Sequence, residues 1–250
     1  MIKVVLIGGG NVAFHLASHF LENKQVNLVQ VYNRHIDSIK YLENKTSITN
    51  TISNLKEADI YIISISDDAI SEFSSQLILK NKLVVHTSGS VSVNELQSTS
   101  NKGVFYLLQS FSKNRKVDLN SIPICIEAEH KTDLALLEIL AKSISSKVFH
   151  INSDQRKNLH VGAVFVNNFV NHLYYIGYKL CKENNVSFDV LKPLILETAL
   201  KLNDIRPFEA QTGPAKRNDE KTIHKHLAML SNTEKDIYEL LTKSISKTYE

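Results

Sequence analysis

The chain has 250 residues, of which 43% are hydrophobic, and it carries a formal net charge of +3. This length and apolar content allow one large or two ordinary globular domains with a buried core. Acidic and basic residues are intermixed, which argues against the concentrated basic face of a nucleic-acid-binding protein. No apolar stretch reaches the ~18 residues of a membrane span, and the start of the chain lacks the pattern of an export signal.

The two cysteines, Cys125 and Cys181, lie in apolar segments and have no spacing typical of metal ligands. Isolated thiols of this kind fill space in a core and are common in proteins of a reducing compartment. We therefore expect a cytoplasmic protein without a metal ion, which acts neither on nucleic acid nor at a membrane.

Up to about residue 150, short β-branched runs of strand length alternate with helical patterns. In the first of these patterns, Val12, Leu16 and Phe20 recur every four residues. Continuous apolar strands that alternate with helices are typical of a parallel sheet covered on both faces. The strand-like runs are Ile2–Ile7, Leu28–Tyr32, Ile60–Ile65, Leu83–His86, Val104–Leu108, Ile122–Ile126 and Lys147–Ile151.

The stretch LIGGGNVAFHL, residues 6 to 16, joins the first predicted strand to the first predicted helix. Gly8, Gly10 and Ala13 fit the dinucleotide-binding pattern G-x-G-x-x-[GA] in that setting. The first glycine permits a tight turn, the second lets a diphosphate approach the backbone, and the small third residue lets the helix pack on the sheet. Asn11 and Val12, at the helix start, would then bind the anion. The alternative is a glycine-rich bend that binds no ligand.

The second predicted strand ends in Val31, Tyr32, Asn33 and Arg34, at the place where NAD-binding proteins carry an acidic residue for the ribose hydroxyls. An amide followed by a guanidinium can instead bind a 2′-phosphate, which a carboxylate would repel. We therefore expect NADP(H) as the cofactor, bound through Asn33 and Arg34. The alternative is that Asn33 starts a turn and that Arg34 is a surface charge.

Small hydroxyl residues follow two other predicted strands, and ligands of an open parallel sheet bind beyond the carboxyl ends of its strands. We expect Ser64 and Ser66 to line the cofactor pocket, together with Thr87 and Ser88 beside the nicotinamide. Such small side chains leave room for a flat ring and a modest substrate.

Two titratable residues near these strand ends have structural alternatives. Asp67 is expected to cap the helix that begins near Ala69. His86 falls inside a strand end, where it is either a substrate-binding residue or a histidine whose hydrogen bonds are satisfied within the fold.

The strand pattern stops after residue 152, and long helical periodicity replaces it. An apolar stripe with alternating spacings of four and three residues predicts a long helix that begins near Ser153 or Asp154, either of which could be its N-cap. We therefore divide the chain into a cofactor-binding domain, residues 1–152, and a helical substrate and dimerisation domain, residues 153–250. The stripe consists of Leu159, Ala163, Val166, Val170, Leu173, Gly177 and Leu180.

The same helix carries a polar stripe. His160 and Asn167 are seven positions apart, so on an α-helix with ~100° per residue they point within about 20° of each other. Asn171, Tyr174 and Tyr178 extend this face. We expect His160 to act as general acid or base. We expect Asn167 to position the substrate and Asn171 to bind it. The alternative is that His160 and the asparagines bond the neighbouring domain or a second subunit.

Further helical segments are expected at about residues 187–204, 219–230 and 232–247. The polar stretch from Arg206 to Glu220 is predicted to be a long loop that precedes the second of them.

This predicted loop is rich in anion-binding chemistry. Gly213 and Pro214 shape a turn, and Lys216 and Arg217 supply positive charge. We expect Arg217 to bind the substrate, as part of a clamp for a carboxylate or for the cofactor phosphates, in its own or in a partner subunit. Asp219 or Thr222 is expected to cap the next helix. The alternative is that the stretch is a charged connector between helices.

Taken together, these motifs resemble the Rossmann-like NADP oxidoreductases whose C-terminal half is classed as a domain of unknown function. That family is similar in architecture to pyrroline carboxylate reductase and, more distantly, to the β-hydroxyacid dehydrogenases. The resemblance covers nearly the whole chain. It is carried by GGGNVA at 8–13, NR at 33–34, SDDAI at 66–70, HTSG at 86–89, YLLQSF at 106–111, NLHVGAVFVNNF at 158–169 and TGPAKRND at 212–219.

The resemblance implies an α/β fold, with an N-terminal Rossmann, doubly wound and mainly parallel sheet followed by an all-α domain that often forms a homodimer. It also implies hydride transfer between NADP(H) and a small molecule, for which we expect a carbonyl or imine compound. One feature departs from the wider superfamily. The β-hydroxyacid dehydrogenases place a catalytic lysine four residues before an asparagine on the long helix, and counting back from Asn168 reaches Val164. The alternatives are therefore an NADP-binding sensor without catalysis, or a deazaflavin-linked NADP oxidoreductase.

Overall fold

The computed structural model describes all 250 residues. The chain forms two compact units, Met1–Asn168 and Phe169–Glu250. This boundary lies later than the predicted one after residue 152, because the helix that begins at Ser153 is bonded to the strand residue Glu127. The functional division of the chain into residues 1–152 and 153–250 remains a prediction.

The first unit is built on an eight-stranded sheet with the order β3-β2-β1-β4-β5-β6-β7-β8. Neighbouring strands are parallel except β6 and β7, which are antiparallel. The predicted Rossmann, mainly parallel sheet is thus confirmed. Its strands are β1 (Ile2–Ile7), β2 (Val26–Tyr32), β3 (Ser47–Thr49), β4 (Ile60–Ile63), β5 (Leu83–His86), β6 (Asn101–Leu107), β7 (Ile124–Ala128) and β8 (Val148–His150).

Seven of these strands coincide with the apolar runs in the sequence, and β3 is the one that the sequence does not indicate. It has only three residues, two of them hydroxylic, and lies at the edge of the sheet beside β2. The helices of the first unit before residue 153 are α1 (Asn11–Glu22), α2 (Ile70–Ser75) and α3 (Lys131–Lys142).

Apolar side chains cover both faces of the sheet. Along β1, Val4 and Leu6 belong to one buried cluster, and Val5 and Ile7 to another. Because successive side chains of a strand point to opposite faces, the two clusters lie on opposite sides of the sheet. All four side chains have no exposed surface. The burial of each contributes about 1.5–3 kcal/mol to folding.

The predicted long helix begins at Ser153, but neither Ser153 nor Asp154 is its N-cap. Asn152 caps it, in a capping box with Gln155. Ser153 is unsuitable because its hydroxyl donates to Glu127 at 2.8 Å. The chain then forms α4 (Ser153–Ala163), a π-helical segment (Val164–Phe169) and α5 (Val170–Glu183).

The π-helical segment changes the geometry on which the polar stripe was predicted. A π-turn bonds residue i to i+5 and therefore contains more residues than an α-turn. A spacing of seven residues between His160 and Asn167 then no longer returns to the same direction. The expectation that they share one face is corrected accordingly.

The second unit is helical. The predicted loop from Arg206 to Glu220 contains one short helix, α7, because Pro207 is suited to a first helical turn. Asp219 caps α8, and its carboxylate accepts from the backbone N–H of Thr222 at 3.1 Å. No helix of the chain has the length and apolar character to cross a membrane. The remaining helices are α6 (Lys192–Leu200), α7 (Pro207–Ala210), α8 (Glu220–Met229) and α9 (Asn232–Tyr249).

Candidate active site

The glycine-rich turn between β1 and α1 requires glycine at its first position. Gly8 has a φ of 130°, and a Cβ atom there would lie 2.0 Å from the carbonyl oxygen of Ser64. Its N–H donates to the carbonyl of Tyr32 at 2.7 Å. Gly8 therefore shapes the turn, which brings the ends of three neighbouring strands together.

The start of α1 is open toward a cavity. Gly10 is the N-cap, no side chain caps the helix, and its first turn contains no acidic residue. A Cβ atom on Gly10 would meet nothing within 4 Å. A helix start with free N–H groups and unfilled space beside it fits an anion such as a diphosphate. Ala13 is buried, as expected of the small residue that packs the helix on the sheet.

A cavity of about 740 Å³ in the first unit extends from this turn. It brings together most of the residues that the sequence predicts for the site. Gly8 does not line the cavity, because it lies against the backbone of Ser64 and shapes the turn. The predicted residues that line the cavity are Gly10, Asn11, Val12, Asn33, Arg34, Ser64, Ser66, Thr87, Ser88 and His160.

Asn33 and Arg34 have different local roles in the lining. The Asn33 amide donates to the carbonyl of His35 at 2.9 Å, so it does start a turn. The Arg34 side chain is exposed and forms no hydrogen bond or ion pair within the chain. Its guanidinium, with His35 and Ser38 beside it in the lining, is available to a phosphate.

Tyr106 belongs to the YLLQSF motif but was not predicted to be a site residue. Tyr106 lies near the end of β6 and lines the cavity with His160. Its hydroxyl oxygen is 3.1 Å from Nδ1 of His160. Burial raises the pKa of Tyr106 to about 12, with a smaller contribution from Cys125. The hydroxyl therefore keeps its proton at neutral pH.

Gly89 gives this pair its space. A Cβ atom on Gly89 would lie 2.4 Å from Nδ1 of His160 and 2.9 Å from the ring of Tyr106. Any larger residue at position 89 would therefore push the two side chains away. Tyr106 lies near the end of β6, and β6 pairs with β5, the strand that leads into the HTSG motif. This position at a strand end is the signal that could have identified Tyr106 as a site residue.

Asp67 does not cap a helix. The chain forms a 3-10 turn at Asp67–Ala69 before α2 begins at Ile70, and no side chain caps either segment. The Asp67 carboxylate instead accepts a hydrogen bond from the Ser90 hydroxyl and lines the cavity.

His86 has no exposed surface and does not line the cavity. The prediction that His86 binds the substrate is therefore wrong. Its Nδ1 accepts from the backbone N–H of Ser88 at 3.2 Å. Burial, together with the positive charge of Arg156, lowers the pKa of His86 to about 4. The imidazole is therefore neutral at physiological pH and supports the strand end that carries Ser88.

A buried ion pair anchors the first turn of α4. The Arg156 side chain has no exposed surface, and its Nη1 donates to Glu127 at 2.6 Å. Arg156 also donates to the carbonyl of Val91 and to the hydroxyl of Ser153. Because Arg156 lies one turn before His160, this network fixes the helix that carries His160. The sequence pattern does not indicate this network, because its members are far apart in the chain.

Cys125 is opposite Tyr106 in the β6–β7 pair and is buried in the same apolar cluster. Burial raises the pKa of its thiol to about 11. Cys181 belongs to α5 and is partly exposed.

Besides Gly8 and His86, three further predicted site residues lie outside the cavity lining. Asn167 is an exposed residue of the π-helical segment. Asn171 and Arg217 are exposed residues of the second unit, and their roles stay predictions. No group of three or more histidine, cysteine or acidic side chains is arranged to hold a metal ion.

Family models match both parts of the chain. Residues 3–89 match the family described as NADP oxidoreductase, coenzyme F420-dependent. Residues 122–245 match a domain of unknown function, DUF2520. A proposed NADP oxidoreductase from Bacteroides fragilis is 40% identical over 98% of both chains, with a TM-score of 0.90. The chain belongs to this family of NADP oxidoreductases. The predicted enzyme class and the predicted cofactor, NADP(H), are thereby confirmed.

More distant structures resemble this oxidoreductase in fold alone. A protein from Thermotoga maritima is 21% identical, covers 98% of this chain and 99% of its own, and has a TM-score of 0.78. A reductive aminase from Aspergillus terreus, solved with NADPH, is 14% identical over 99% of this chain and 98% of its own, with a TM-score of 0.71. Among curated proteins, no sequence matches the chain.

Proposed function

We propose that this NADP oxidoreductase transfers a hydride between the nicotinamide and a small carbonyl or imine compound in the cavity of the first unit. The observation that carries the proposal is the lining of that cavity. It includes an open helix start for a diphosphate, an unpaired arginine for a 2′-phosphate, and a histidine with a buried tyrosine partner.

In this proposal the first unit holds the cofactor along its strand ends. The N–H groups of Asn11 and Val12 bind the diphosphate, and Arg34 binds the 2′-phosphate. Thr87 and Ser88 lie beside the nicotinamide, and Ser64 and Ser66 line the pocket between. The small size of these side chains is what leaves space for a flat ring.

When bound, NADPH supplies the hydride for reduction. His160 acts as the general acid, giving a proton to the oxygen or nitrogen that becomes electron-rich as the carbon is reduced. The predicted substrate contacts of Asn167, Asn171 and Arg217 stay predictions, because none of these residues lines the cavity. The distant likeness to a reductive aminase and to an imine reductase from Aspergillus terreus is consistent with an imine as the acceptor.

The proposal includes a cytoplasmic homodimer formed through the helical domain. Supporting it, large apolar side chains of α6 and α9 are exposed in the single chain, with Leu194 at 64% and Leu240 at 69%.

A deazaflavin partner is the second candidate, because the family model that matches residues 3–89 is named for coenzyme F420. In that case NADPH would exchange hydride with the deazaflavin rather than with a carbonyl or imine. A reduced-deazaflavin absorbance assay with NADPH and no other acceptor tests this candidate directly.

Binding of the cofactor is tested by calorimetry with NADPH and NADH. We expect Arg34→Ala to weaken NADPH binding by about 10- to 100-fold, because a charge-assisted phosphate contact is lost, and to leave NADH binding unchanged. Arg115→Ala is the matched control, since Arg115 is exposed and outside the cavity lining. Equal weakening of both cofactors in Arg34→Ala would contradict the assignment.

Turnover is tested by NADPH oxidation with 1-pyrroline as imine and cyclohexanone as carbonyl probe. His160→Gln is expected to reduce kcat by about 100-fold or more, as for the loss of a general acid. Tight NADPH binding without reduction of either probe would favour a sensor. Full turnover in His160→Gln would remove His160 from the mechanism.

A further inference from the structure

The side chain of His160 has a single hydrogen-bond partner. Its Nδ1 is 3.1 Å from the Tyr106 hydroxyl, and its Nε2 forms no hydrogen bond within the chain. Both residues line the cavity. One ring nitrogen is thus occupied by the protein, and the other is left for a ligand.

The tyrosine is a partner suited to both protonation states of the imidazole. A phenol hydroxyl can donate to Nδ1 when that nitrogen is bare, and it can accept from Nδ1–H when the ring is protonated. Tyr106 keeps its own proton in both states, because burial raises the pKa of its hydroxyl to about 12. It is therefore not a source of protons for the substrate.

The surroundings leave the pair little freedom to rearrange. Tyr106 is 8% exposed. The two rings meet edge to face, at a centroid distance of 6.0 Å and an interplanar angle of 74°. The backbone of Gly89 lies so close that even a methyl group would collide with both rings.

We propose that Tyr106 is a positioning residue, whose hydroxyl holds Nδ1 of His160 so that Nε2 faces the cavity as the proton donor. This inference rests on the proposed function. In the reaction, the hydride forms a new C–H bond, the π bond of C=N or C=O breaks, and its electron pair takes the proton from Nε2. NADPH is oxidised, the substrate is reduced, and His160 regains its proton from water.

The orientation of His160 is tested without any substrate, by two-bond ¹H–¹⁵N spectra of the histidine-labelled full chain saturated with NADP⁺. The signals of His160 are assigned by their loss in His160→Gln. We expect Tyr106→Phe to move the His160 signals toward those of a freely exchanging imidazole. Tyr41→Phe is the matched control, because Tyr41 lies outside the cavity lining and its hydroxyl forms no hydrogen bond.

Gly89→Ala provides a second variant that changes neither partner. Gly89 does not adopt a positive φ, so alanine is compatible with the backbone there. Because a Cβ would displace His160, we expect the same spectral change as in Tyr106→Phe. Unchanged His160 signals in both variants would overturn the proposal.

Turnover of 1-pyrroline with NADPH distinguishes positioning from a general structural effect. We expect Tyr106→Phe to lower kcat by about 10- to 100-fold, the usual effect of removing a group that orients a reactive one, with the KM for NADPH within about twofold of wild type. In the His160→Gln background, Tyr106→Phe should cause no further loss, because it acts through His160. Additive losses would overturn the proposal.

Failure of this inference can be told apart from failure of the proposed function. If the wild type binds NADPH but reduces neither 1-pyrroline nor cyclohexanone, the proposed reaction is wrong. The spectra then decide alone whether Tyr106 holds His160.

Discussion

The two units of the chain differ in how they are held together. The first unit contains the buried strands of the sheet and two large apolar clusters. In the second unit only Ala210 and Ala215 are buried. Its helices α5, α6, α8 and α9 contain no buried residue at all.

This difference indicates that the first unit is stabilised by its own core, whereas the helical unit is not. Short helices are marginal in water, and most of their stability in proteins comes from packing of an apolar face. A unit whose leucines and phenylalanines remain exposed in one chain needs another surface to cover them. The proposed homodimer would supply that surface.

The largest effect expected in the first unit comes from its buried ion pair. Arg156→Met should lower the free energy of unfolding by about 3–5 kcal/mol, because it leaves the Glu127 carboxylate without its positively charged partner. Urea unfolding measures this. Lys82→Met, which breaks an exposed pair with Glu57, is the control and should have little effect. Equal losses in both variants would show that burial of the pair is unimportant.

The pH dependence of the first unit should be set in part by His86. Its pKa is about 4 in the folded state and 6.5 ordinarily. Between these values the unfolded chain binds a proton that the folded chain does not. The contribution is therefore fully present above pH 6.5 and is lost as the pH falls toward 4, by roughly 3 kcal/mol.

His86→Asn, which keeps an acceptor for the Ser88 N–H, should reduce this pH dependence. Unfolding of both proteins in urea between pH 4 and 7 measures the difference. Parallel curves for the variant and the wild type would contradict a buried neutral His86.

Substitution of exposed leucines in the helical unit should weaken the proposed homodimer. Leu194→Glu combined with Leu240→Glu replaces two exposed side chains, which in a monomer would change stability little. In a dimer interface the same changes should cost about 2 kcal/mol or more of association free energy. Light scattering over a dilution series measures the shift, with Glu239→Gln on α9 as control. A wild type that is monomeric throughout would refute the dimer.

The smallest expected effect concerns the start of α4. Asn152→Ala removes the capping box and should lower the free energy of unfolding by about 1 kcal/mol. Asn158→Ala lies on the same helix outside the cap and should cause no loss, because alanine is the better helix former. A larger loss in Asn158→Ala would contradict the capping role.

The sequence predicts best those features whose determinants are close together in the chain. The turn of Gly8 and Gly10 depends on one strand, one bend and one helix start, so its pattern is complete within a dozen residues or so. The apolar strands are equally local. The short edge strand β3 escaped prediction because its stability comes from pairing with β2 and not from its own side chains.

Other features depend on residues that are distant in sequence. Tyr106 and His160 are 54 positions apart, and Glu127 and Arg156 are 29 apart. Residue types alone do not indicate that such side chains meet. The N-cap of α4 was misplaced for the same reason, since the partner that engages Ser153 is the remote Glu127.

The two thiols offer unequal chemical access. Maleimides react with thiolates and not with thiols. Cys125 is buried, and its raised pKa keeps the thiol protonated near neutral pH. A fluorophore added to the unmodified chain would consequently attach at Cys181 on α5. That single reporter would follow the helical unit by itself, with no engineered cysteine and with the cavity of the first unit left unlabelled.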